Sequence, residues 1–78
     1  MAPSRNKRSL TIARHRTSVT LEDAFWESLG EIARADGKSV AELVGEIDRR
    51  RSASTNRNLS LSAAIRLYVL ERAKRDAR

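Results

Sequence analysis

The chain has 78 residues and a formal net charge of +6, with 16 Lys and Arg against 10 Asp and Glu. That length suits one small domain with a modest core. The lack of cysteine excludes disulfides and thiolate zinc sites as staples, which leaves association with a second copy as the cheap source of extra core. No apolar run approaches the roughly 20 residues of a membrane span, and the basic N-terminus lacks the apolar stretch of a signal peptide, so a cytoplasmic protein is expected. His15 is the single histidine and cannot build a metal site alone; no cofactor is expected.

Charge placement is more informative than the total. Residues 1–16 hold Arg5, Lys7, Arg8, Arg14 and Arg16 and no acid, whereas the remaining 62 carry 11 basic and 10 acidic side chains. Nearly all the excess sits at the N-terminal end. Such a concentration suits a polyanionic partner, nucleic acid first, although a solvated tail would have the same composition.

In chain order, residues 1–13 ("MAPSRNKRSLTIA") read as a flexible basic arm. In "RHRTSVTLED", residues 14–23, Thr17, Val19 and Leu21 share one parity, and Arg16, Ser18 and Thr20 the other. That is the period-2 rhythm of a strand over 14–21. Thr20 and Asp23 resemble a capping box with Thr20 or a neighbour as N-cap. A first helix follows over about 22–35, with Phe25, Leu29, Ile32 and Ala33 as its apolar stripe and Trp26 widening it. Gly37 suits the left-handed position beyond a helix end, and Ser39 the next N-cap. The second helix runs over about 40–50 on Val40, Leu43, Val44 and Ile47, ending in Arg49, Arg50 and Arg51, which complement the helix dipole. Residues 51–59 read as a polar linker. The last element is a helix over about 60–76, capped by Ser60 or Asn58. Its apolar residues Leu61, Ala64, Ile65, Leu67, Tyr68, Val69 and Leu70 occupy more than one side. It needs cover on two faces, from the first two helices and from a subunit or partner protein.

The fold class is therefore mainly α with one strand. A lone strand leaves backbone groups unpaired, and the cheapest partner is the same strand of a second copy. Antiparallel pairing about a twofold axis would bury Thr17, Val19 and Leu21 with Phe25, Leu29, Ile32, Leu43 and Ile47 as dimer core. Arg16, Ser18 and Thr20 of each copy would face outward. A two-stranded ribbon fits the DNA major groove. Arg16 can bond guanine O6 and N7 in bidentate fashion, worth roughly 1–3 kcal/mol of discrimination, and Ser18 and Thr20 are less selective readers. The start of the second helix, at Lys38, Ser39 and Val40, offers unpaired N–H groups at the positive end of a dipole, a ready phosphate site. Arg5, Lys7, Arg8 and Arg14 add phosphate contacts.

The stretch "RTSVTLEDAFWESLGEIARADGKSVAELV" resembles the ribbon-helix-helix family of bacterial and phage repressors, to which the Arc and methionine repressors belong. The likeness spans residues 14 to about 50 and rests on the alternating strand, the Phe25/Leu29/Ile32 stripe and the turn Gly37–Ser39. It implies a nucleoid-associated homodimer, or pairs of dimers, on double-stranded DNA, with Arg16, Ser18 and Thr20 outward and phosphate at the second helix. Glu22 stands where the family usually has proline. The third helix resembles that of an extended subgroup.

Other readings fare worse. A helix-turn-helix is disfavoured by Asp36 and Lys38 at apolar positions, and by Glu42, Glu46 and Asp48 on the outer face of the second helix, where acids repel phosphate. An antitoxin or adaptor using Leu61–Arg75 to hold a partner protein is the alternative from another class. The scattered acids give no catalytic constellation, so no enzyme is expected. The arm shows no amphipathic stripe for a membrane surface.

Overall fold

The computed structural model describes residues 5–53 and 59–76. It contains a two-stranded antiparallel hairpin, β1 (Arg5–Ile12) and β2 (His15–Glu22), and three helices, α1 (Asp23–Ala35), α2 (Val40–Ala53) and α3 (Leu61–Asp76). The hairpin is followed by helices in the expected order, with the additional C-terminal helix in place.

The main difference lies at the N-terminus. Residues 5–12 of the expected arm form β1, and β2 takes this strand of its own chain as partner instead of a symmetry mate. Residues 1–4 lie outside the described residues. The reason is visible in the pattern: Leu10 and Ile12 alternate with Ser9 and Thr11, and the apolar pair turns inward, with Ile12 buried. The two strands are joined by Ala13 and Arg14, both at positive φ (50° and 70°). That is the backbone of a type I′ hairpin turn, which ordinarily recruits Asn and Gly.

The helix boundaries obey local chemistry. Thr20 lies within β2; the N-cap of α1 is Glu22, without a side-chain capping bond. Asp23, in its first turn, accepts a hydrogen bond from the Asn6 side chain. The helix ends in a Schellman arrangement: Lys38 N–H donates to the Ala33 carbonyl at 2.8 Å and Gly37 N–H to the Arg34 carbonyl at 3.2 Å. Gly37 supplies the required positive φ of 69°. Ser39 caps α2 reciprocally with Glu42: Glu42 N–H donates to Ser39 Oγ at 3.1 Å, and Ser39 N–H to the Glu42 carboxylate at 3.0 Å. Three residues assigned to the linker, 51–53, extend α2 to Ala53. Ser60 Oγ accepts from Ala63 N–H and caps α3; Asn58, the other candidate cap, lies outside the described residues.

The core draws on all five elements. Val19 and Leu21 of β2 join Trp26, Leu29, Ala33, Leu43, Val44, Ile47, Ile65 and Val69. Thr17, Phe25 and Ile32 are only half-buried. The buried stripe of α1 is therefore Trp26–Leu29–Ala33, turned from the expected Phe25–Leu29–Ile32. The indole explains the turn: it is buried, and its N–H donates to the Asn6 carbonyl oxygen at 2.9 Å, a bond available only because β1 is present. The five positions expected as dimer core and found buried, Val19, Leu21, Leu29, Leu43 and Ile47, pack together within this chain.

Candidate nucleic-acid interface

Pairing register decides which side chains share a face. Directly opposite residues of an antiparallel pair project to the same side, and β1 meets β2 as Lys7–Thr20, Ser9–Ser18 and Thr11–Arg16, alternating with Asn6–Leu21, Arg8–Val19 and Leu10–Thr17. The second set faces the helices. The first set faces out, and all six of its residues are exposed. Arg16, Ser18 and Thr20 therefore lie on one outward face, as their parity requires, and Lys7, Ser9 and Thr11 double it. At the root of this face Arg5 lies opposite Glu22, and their charges meet at 3.4 Å.

The other basic residues of the N-terminal end are dispersed. Arg8 is on the inner side, its guanidinium 4.8 Å from the Trp26 ring centroid, within the range of a cation–π contact. Arg14 sits at the hairpin tip beside His15, both exposed. Among the described residues no acid forms an ion pair with Lys7, Arg14 or Arg16. The cations that do pair with acids lie mostly on or beside the helices.

The start of α2 is differently equipped from the bare N-terminus expected. The Ser39 N–H is engaged by Glu42, whose carboxyl is held below the usual range chiefly by that backbone bond. Lys38 pairs with Glu46. Lys38, Glu42, Glu46, Asp48 and Arg49 line one cleft of about 390 Å³ between this helix and the hairpin tip. Acids outnumber bases there, and a phosphate at Ser39 has to displace the Glu42 carboxylate.

The third helix braces the ribbon. Ser62 Oγ donates to the Thr20 carbonyl oxygen at 3.1 Å, occupying an edge group of β2. Arg66 holds Glu22 through two bonds of 2.9 and 3.2 Å, and this guanidinium keeps the Glu22 carboxyl below the usual range. Six residues on, Arg72 holds Asp36 through bonds of 3.0 and 2.8 Å and donates also to the Tyr68 hydroxyl. Asp36 is lowered and Arg72 raised by this pairing. The two arginines thus clamp the residues just before and just after α1, fixing the helix on which the ribbon rests. Tyr68 is half-buried within this arrangement, while Leu67 and Leu70 remain exposed at 47% and 53%.

Ser9 and Thr11 are the face residues that sequence reasoning missed, and Lys7, expected as a phosphate contact on a flexible arm, joins them on this face. Their signal was present in the alternation of "SLTI", but the turn that would have announced a hairpin lacks glycine and asparagine.

No curated protein and no solved structure matches the chain. The model of the ribbon-helix-helix domain matches residues 5–73, which takes in the hairpin and all but the end of α3, and the chain belongs to this family, one of DNA-binding regulators and related antitoxins.

Proposed function

We propose that this protein is a sequence-specific transcriptional repressor that inserts its two-stranded ribbon into the DNA major groove. The observation that carries the reading is the outward face from Lys7 to Arg16: six exposed polar or basic side chains, with Lys7 and Arg16 unpaired by any described acid. A two-stranded ribbon has the dimensions of the groove. Arg16 is the first reader, by bidentate bonding to guanine, with Ser18 and Thr20 as less selective partners. Arg14 at the tip and Arg5 at the root flank this face and suit phosphate contacts, which set register without reading sequence. Phosphate at Lys38, Ser39 and Val40 belongs to the same reading, as an exchange of Glu42 for the ligand. The family points to a homodimer on DNA; since each chain holds its own ribbon, two copies would occupy repeated sites and pair through helices. The site of action is the cytoplasm, on the nucleoid.

The test is binding to random-sequence duplexes across a salt series. Affinity should fall with salt at a log–log slope steeper than about −2, as expected for three or more neutralised phosphates. Binding that hardly changes with salt, or no retention of DNA, would refute the reading.

A second reading rests on Leu67 and Leu70. Their exposure on α3 supports an antitoxin or adaptor that holds a partner protein with this helix. A stable protein complex lost on Leu67→Asp/Leu70→Asp, without DNA retention by the wild type, would favour it.

A further inference from the structure

We infer that α3 carries a contact between copies: two chains pair antiparallel along its outer side, with Leu67 of each against Leu70 of the other. The inference goes beyond the DNA-binding reading and does not depend on it. Nor does it replace pairing at the ribbon, since none of its residues lies on β1 or β2.

The pattern of α3 is the starting point. Ile65 and Val69 are buried in the core. Leu67 stands two residues from each, which at 3.6 residues per turn places it on the opposite side of the helix. Ala63, Leu67, Leu70 and Lys74 follow a 4-3-4 spacing, that of a seam along which two helices interlock. The outer side of a surface helix is ordinarily polar. Here its middle holds Leu67 and Leu70, the two large apolar side chains left exposed among the described residues.

The flank beside this seam is matched to a second copy in charge. A groove of about 240 Å³ between α2 and α3 is lined by Ile47, Ala64, Leu67 and Tyr68, with Arg50 and Glu71. The Arg50 guanidinium lies 5.9 Å from the Tyr68 ring centroid. Neither Arg50 nor Glu71 has an ion-pair partner among the described residues. A twofold contact is self-complementary, so that if one residue meets another the reverse also holds. When two antiparallel helices pack about such an axis, the same flank of each meets the same flank of the other. With Leu67 opposite Leu70, the axis passes near residues 68 and 69, and groove faces groove. Glu71 of one copy then falls within a turn of the Arg50–Tyr68 pair of the other. The leucines supply apolar burial, and two symmetric ion pairs set the register. The family meets DNA as a dimer, so a second copy is also the partner present wherever the protein acts.

The experiment is sedimentation equilibrium of the full chain over a concentration series. It compares the wild type, Leu67→Asp/Leu70→Asp, Glu71→Arg, Arg50→Glu and the double reversal Glu71→Arg/Arg50→Glu, with a melting curve for each. The charge variants keep both leucines, so they test the contact independently of any loss of folding in the aspartate variant. The wild type should assemble one step further than Leu67→Asp/Leu70→Asp, in which the dissociation constant of that step rises by at least about 30-fold, the loss of one hot-spot side chain. Each single reversal should weaken the step by about 2- to 30-fold, as expected for two exposed ion pairs, and the double reversal should recover most of that loss. The same assembly in the wild type and in Leu67→Asp/Leu70→Asp overturns the proposal and leaves the face to a different protein. A double reversal no better than the single ones overturns the antiparallel pairing. DNA retention by the same samples reports on the ribbon separately, and its absence from all of them refutes the DNA-binding reading alone.

Discussion

The hairpin turn offers the sharpest test of the fold, because its residues oppose its shape. Ala13 and Arg14 occupy left-handed backbone at φ 50° and 70°, where a side chain other than Gly or Asn costs roughly 1–2 kcal/mol per residue. Replacing the pair by Asn-Gly, the residues a type I′ turn favours, relieves about 2–4 kcal/mol of strain. Against this, Gly adds about 0.5–1 kcal/mol of unfolded-state entropy. The net expectation for Ala13→Asn/Arg14→Gly is a gain of about 1–3 kcal/mol, with a rise in Tm of about 4–8 °C for each kcal/mol in a domain of this size. Circular-dichroism melts and urea titrations at several protein concentrations provide the measurement. The sign of the effect separates two architectures. If β1 and β2 were paired between copies, residues 13 and 14 would continue an extended chain, and Gly there would weaken the strand. A neutral or destabilising result would therefore falsify the intrachain hairpin. Stability rather than DNA affinity is the proper readout, because Arg14 at the tip is also a candidate phosphate contact.

Three further outcomes are expected. Gly45→Ala in α2 should stabilise by about 0.5–1 kcal/mol, since a Cβ there meets Ile12 of the hairpin at an ordinary 3.5 Å; Gly45→Leu should lower the urea midpoint by forcing the strand off the helix. Trp26→Phe should cost about 1 kcal/mol, the worth of the indole bond to the Asn6 carbonyl, and hydrogen exchange should show β1 loosening more than α2. Glu22, Asp36 and Glu42 are all lowered in the fold, so their contribution is present above the unfolded carboxylate values near pH 4 and is lost as pH falls through the folded ones. The urea midpoint should hold from pH 7 to 5 and decline below about pH 4, and Glu22→Gln/Asp36→Asn should flatten that decline while lowering the midpoint at pH 7; an unchanged profile would separate the Arg66 and Arg72 clamps from stability.

Most of the helical architecture was legible because its signals are local. Gly37 before Ser39 marks a stop and a start whose backbone requirements only a few residues meet, and both are seen in the fold. The parity of β2 was equally plain, because Val19 and Leu21 alternate with polar residues over a buried layer. The first strand was obscured for three separate reasons. Its basic residues gave "RNKRS" the composition of a tail, its two apolar residues are too few to set a period, and its turn lacks the residues that advertise one. The orientation of α1 failed for a different reason: a period of 3.6 fixes the width of an apolar stripe more firmly than its centre, and the indole chose the centre by bonding to a strand that sequence reading had left out.

The phosphate site at α2 shows why the site was harder to read than the fold. The sequence Lys38–Ser39 followed by Glu42 can be taken as an anion-binding helix start or as a capping box, since both use the same donors. The structure puts the Glu42 carboxylate on Ser39 N–H and Lys38 on Glu46, so the helix supplies its own anion. At the ribbon the reverse holds. Lys7 and Arg16 belong to strands, where acids of the same chain have no i+3 or i+4 position from which to reach them, and the one acid on their face, Glu22, is drawn to Arg66 and Arg5. On the hairpin, sorting cations by whether the fold has already given them a partner leaves Lys7, Arg14 and Arg16. Arg34, Arg49, Lys74 and Arg75 on the helices also lack an ion-paired acid among the described residues, but the ribbon sets two such charges on one exposed face, where an external polyanion can meet both.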